Sequence, residues 1–103
     1  MPLLRCKIVH WLSTDPFPGW VEARLVDAHG RTWLFHDKPP IFSAELSASD
    51  ALPVEGVIAC EVIAADETTG ATVTVDTSAP WGIEATDGTT TFTVSAEQLL
   101  ADE

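Results

Sequence analysis

The stretch Trp20-Val-Glu-Ala-Arg-Leu-Val-Asp-Ala-His-Gly-Arg-Thr-Trp-Leu-Phe-His36 decides the fold class. Along its first seven residues Val21, Ala23 and Leu25 alternate with Glu22 and Arg24, the period of a strand with one buried face. His29-Gly30 then supplies a turn, because glycine takes positive φ without steric cost. Residues 31–36 return as the partner strand, so the segment reads as a β-hairpin.

The same period governs the chain on either side. Residues 5–12 alternate so that Cys6, Ile8, His10 and Leu12 share one face, with Lys7, Val9 and Trp11 opposite. Lys38-Pro39-Pro40 ends the hairpin, since proline lacks an amide donor and restrains the residue before it. Residues 43–55 read as an irregular connection with one helical turn between Ser47 and Ala51. A single strong strand is expected over 56–64, then a polar turn at 67–70 and a strand over 71–77. Residues 78–82 are loop-like, and a last hairpin pivots on Asp87-Gly88 between 83–86 and 89–94. Ser95 and Gln98 have capping-box spacing, which predicts a short C-terminal helix through Leu99 and Leu100. These elements describe an all-β chain. They predict a small antiparallel β-barrel of six or seven strands, with a two-sheet sandwich as the alternative, over residues 1–103 as one domain.

Charge is distributed one-sidedly. Residues 1–38 hold all five Lys and Arg side chains against four carboxylates; residues 39–103 hold no Lys, Arg or His against twelve. Nucleic-acid binding needs a cationic footprint to neutralise phosphates, so this class is not expected. No stretch has the length or apolarity of a signal peptide or membrane span, which makes a cytoplasmic protein with no membrane partner the expectation. Cys6 and Cys60 read as reduced core residues rather than a disulfide, and neither has a second Cys or His at metal-ligand spacing. No metal or other cofactor is expected.

Gly30-Arg31-Thr32, Phe35 and Pro39-Pro40-Ile41-Phe42 follow one another in an order that resembles the third, C-terminal barrel domain of elongation factor Tu. The similarity continues through Leu52-Pro53 and the apolar run 57–63, and returns at Asp87-Gly88-Thr89. The resemblance implies a six-stranded antiparallel barrel. It does not carry the family's function across, because the chain has no phosphate-binding loop and no basic residue in its second half.

Among chemistry-bearing residues, His36-Asp37 is the most site-like pair, at a strand end beside a proline-restricted loop. Adjacent residues of an extended chain point to opposite sides, however, so the two need not meet. His10 and Cys6 lie four residues apart, roughly 13 Å along a strand, too far for a nucleophile–base pair. Cys60 with His10 or His36 stays geometrically open. The turn acids Asp66-Glu67 and Asp87 lack calcium-loop spacing. Four tryptophans remain, and Trp11, Trp20, Trp33 and Trp81, with His36 and Asp37, are the expected interface residues.

The expected function is a non-enzymatic acidic interaction module that binds a basic protein, of the kind an immunity or antitoxin protein represents. Two alternatives stand beside it. One is a small hydrolase or metal-dependent enzyme using His36, Asp37 and His10. The other is a self-associating accessory subunit, such as a homodimer, that buries its external tryptophans.

Overall fold

A computed structural model describes residues 2–44, 46–47 and 49–100. They form two antiparallel sheets and no α-helix, so the chain is all-β. The first sheet contains β1 (Leu3–Ser13), β2 (Trp20–Val26), β3 (Thr32–Asp37) and β4 (Val54–Ala59), in the order β3-β2-β1-β4. The second contains β5 (Glu61–Ala65), β6 (Thr72–Asp76) and β7 (Thr91–Ser95), in that order. A two-residue strand, β8 (Leu99–Leu100), joins the first sheet against β1. No helix among the described residues is long and apolar enough to cross a membrane.

The β2–β3 hairpin forms with Glu22 opposite His36, Arg24 opposite Leu34 and Val26 opposite Thr32. Its turn is closed by Gly30 N–H to Asp27 O at 3.1 Å and Asp27 N–H to Arg31 O at 2.9 Å, with Gly30 at φ +80°.

The core lies between the two sheets. Leu4 and Ile8 of β1, Val21 and Leu25 of β2, Phe35, Ile58, Val75 and Val94 are buried there, and Phe42 joins them from a 3-10 turn, Pro39–Phe42. Phe92 of β7 meets Phe35 at 5.5 Å and the edge of Trp33 at 5.1 Å, so aromatic packing spans the sheets.

Four sequence expectations change. The strand expected over 56–64 divides at Cys60: β4 belongs to the first sheet and β5 to the second. Cys60 is buried, and its N–H donates to Pro2 O at 3.2 Å, one step beyond the Leu3–Ala59 pair, which closes the β1–β4 pairing before the chain enters the second sheet. An apolar run of this kind carries no period that could mark such a change of sheet.

In β1 the register slips between Ile8 and His10 and again between Trp11 and Ser13. These bulges place two residues opposite one and shift the alternation by one position. His10 and Leu12 therefore leave the face of Cys6 and Ile8, and Trp11 turns inward opposite Val21.

The turn at Asp87-Gly88 forms, with Gly88 N–H to Ala85 O at 2.8 Å, but 83–86 is not a strand. Ile83 and Ala85 are drawn into the core, and the buried Thr77 hydroxyl donates to Ile83 O at 2.7 Å. The capping box is present, but it begins a 3-10 turn, Ala96–Gln98, rather than a helix. Leu99 and Leu100 extend to pair with Leu4 and Leu3, because a free β1 edge offers backbone partners that a seven-residue helix could not match. The helical turn expected at 47–51 is a single turn closed by Asp50 N–H to Ser47 O at 2.9 Å; Ala48 lies outside the described residues.

Candidate interaction surface

The four tryptophans divide into two pairs. Trp33 is held within the fold: its Nε1–H donates to Asp27 Oδ2 at 2.9 Å, and the Arg31 guanidinium lies 3.9 Å above its ring. Trp11 is half-buried against the core, and its Nε1 is buried without a hydrogen-bond partner among the described residues. Gly19 makes room for it, since a Cβ there would meet the ring at 3.0 Å and Ser13 O at 2.5 Å. Trp20 and Trp81, in contrast, are 43% and 64% exposed.

Trp20 pairs with Ser13 at the end of β1 and β2, next to the exposed bulge residue Leu12. The loop between these strands carries Phe17, which is 84% exposed. Phe17 and Pro18 face the 3-10 turn across an open groove of about 710 Å³ whose far wall is Pro39, Pro40, Ala44 and Leu46. Asp50 lines the same groove, its Oδ2 accepting the Ser47 N–H at 2.8 Å. Prolines suit this position because they carry no amide donor that would need water on the groove wall. The result is an apolar concavity with a carboxylate among its lining residues.

His36 and Asp37 part company, as alternation requires. Asp37 Oδ1 accepts the Lys38 N–H at 2.8 Å, while the His36 imidazole Nε2–H donates to Glu22 Oε1 at 3.0 Å. Glu22 is also the nearest acid to His10, with Oε2 4.0 Å from Nε2. The bulge in β1 and the hairpin register thus bring His10, Glu22 and His36 side by side on the outer face of three neighbouring strands. This cluster replaces the His36–Asp37 pair as the meeting point of acid–base groups. The histidine side chains are 71% and 42% exposed, and neither borders the Phe17 groove. Among the described residues no group of three or more His, Cys, Asp or Glu is arranged to hold a metal ion.

Both cysteines are buried and free. Burial pushes the Cys6 thiol up to about 12, with the Glu55 charge adding to it, and burial pushes Cys60 up to about 11. Neither is a nucleophile near neutral pH.

Sequence reading missed Phe17 and Glu22. Phe17 stands between two prolines and before a glycine, a context that marks a loop tip but not its exposure. Glu22 was within reach: the turn at Asp27–Gly30 sets Glu22 opposite His36 by counting along the hairpin. Comparison with protein-family models, with curated proteins and with solved structures returned no match.

Proposed function

We propose that this chain is a non-enzymatic, acidic protein-interaction module that docks a basic partner at the Phe17 groove, in the manner of an immunity or antitoxin protein. The observation that carries the reading is the groove itself: Phe17 and Pro40 stand open to solvent among its lining residues, and Trp20, three residues along the chain from Phe17, is exposed as well. An aromatic anchor in an apolar concavity with charged surroundings is the arrangement of an interface core and rim. The formal charge of −11 supplies long-range steering toward a cationic protein. We further propose that the two sheets close into a small barrel like that of the elongation-factor domain. Supporting this, Ala28 N–H to Thr93 O at 3.0 Å ties the β2–β3 turn to β7, Thr86 N–H to Leu34 O at 2.8 Å ties the 77–90 loop to β3, and the chain passes from one sheet to the other at Cys60.

The test is capture of partners from lysate of the producing cells on the immobilised chain and on its Phe17→Ser variant. A basic protein held by the parent at low salt, released at high salt and not held by the variant is the expected result. Equal retention by both forms, or retention indifferent to salt, overturns the reading.

The His10–Glu22–His36 cluster favours one second reading, a small acid–base enzyme built on Glu22 rather than Asp37. Its test is a screen of ester and phosphoester hydrolysis, in which any activity must vanish in His36→Ala and Glu22→Gln.

A further inference from the structure

A second groove opens where the first sheet is interrupted. On one side of β1, β8 pairs with Leu3 and Leu4 and β2 pairs from Lys7 onward, so Arg5 and Cys6 have no strand partner there. Gln98 bridges the interval, its Nε2–H donating to Val26 O at 2.7 Å. The resulting groove, about 370 Å³, is lined by Arg5, Lys7, Arg24, Glu55 and Gln98 and shares no residue with the Phe17 groove.

Three of the five Lys and Arg side chains of a chain with sixteen carboxylates therefore converge on one groove. Their placement is costly. Lys7 stands directly opposite Arg24 in register, like charge against like, which destabilises an antiparallel pair. Lys7 also has Glu55 opposite it on β4, yet among the described residues none of the three cations has a carboxylate within 4.0 Å.

We propose that this groove binds a doubly charged oxyanion of the phosphate class. Three cations and one carboxylate leave the wall at +2, which a dianion balances. The guanidinium forks of Arg5 and Arg24 match pairs of phosphate oxygens, while Lys7 contributes a point charge. The volume exceeds that of a bare phosphate, so the groove also has room for the body of a phosphate monoester.

The test is an NMR titration of the intact chain at low ionic strength with inorganic phosphate and, separately, with O-phosphoserine. Saturable shifts at Arg5, Lys7 and Arg24 are expected, weakened about tenfold by Arg24→Gln or Lys7→Gln. Arg31→Gln, which removes the cation over Trp33, is expected to leave binding unchanged. Without phosphate, Arg24→Gln should melt close to the parent, since relief of its opposition to Lys7 offsets one more unit of net negative charge; this separates a binding role from a structural one. Tighter binding of phosphoserine identifies an ester as the ligand, and equal affinity identifies the free ion. Shifts that do not saturate, binding that survives both substitutions combined, or equal loss in Arg31→Gln overturns the proposal.

Discussion

Asp27 shows how one side chain can close a hairpin. Its carboxylate accepts the N–H of His29 at 2.8 Å, the N–H of Arg31 at 3.0 Å and the indole of Trp33 at 2.9 Å. Burial pulls its pKa upward, but the bonds from Trp33, Arg31 and His29 outweigh that and hold it below the ordinary 3.8. A carboxyl with a lower pKa folded than unfolded contributes stability that is complete above the unfolded value and is lost as pH falls through the folded one. Asp27→Asn should therefore cost about 1–2 kcal/mol at neutral pH and flatten the fall of melting temperature below pH about 4. Thermal melts across that range check both effects. The slope should shrink rather than vanish, because turn hydrogen bonds also lower the pKa of Asp66, Asp76 and Asp87. Gly56 tests packing instead of charge. A Cβ there would lie 3.2 Å from Phe42 Cβ and 3.3 Å from Cys6 Sγ, so Gly56→Ala should lose about 1–3 kcal/mol in denaturant unfolding.

Among the elements, the segment from Thr77 to Thr90 replaces the expected strand with a loop tied from inside. Thr77 N–H donates to Thr90 O at 2.9 Å, Ile83 N–H donates to Thr77 O at 3.0 Å, and the Thr77 hydroxyl donates to Ile83 O at 2.7 Å. Thr77→Val keeps the shape and removes the hydroxyl donor, leaving Ile83 O short of a buried partner. The expected loss is about 1–2 kcal/mol, with the largest increase in amide exchange confined to 77–90. The hairpin register was legible in the sequence because a short turn and a period of two leave one pairing open. The bulges of β1 were not, since an extra residue is specified by what lies across the strand rather than along it.

For the whole molecule, charge is the largest global variable. With a net charge of −11, self-repulsion opposes compaction, so added salt should raise the melting temperature until screening is complete, at roughly 10 Å Debye length near 0.1 M. A scan from low to high salt that shows no rise would mean the carboxylates are already spaced beyond mutual influence. The amino-acid sequence by itself determined the all-β class, the central hairpin, the turns at Gly30 and Asp87-Gly88, the capping box and the charge asymmetry. Each of these follows from local sterics, from period or from composition. Tertiary structure alone decided that the run around Cys60 changes sheet, that Trp11 and Trp33 turn inward, and that His10 and His36 meet at Glu22. It also decided that Phe17 faces prolines about twenty residues away and that three cations gather at the break between β2 and β8. These outcomes depend on which strands become neighbours, and that choice minimises exposed apolar surface and unpaired backbone over the whole chain at once.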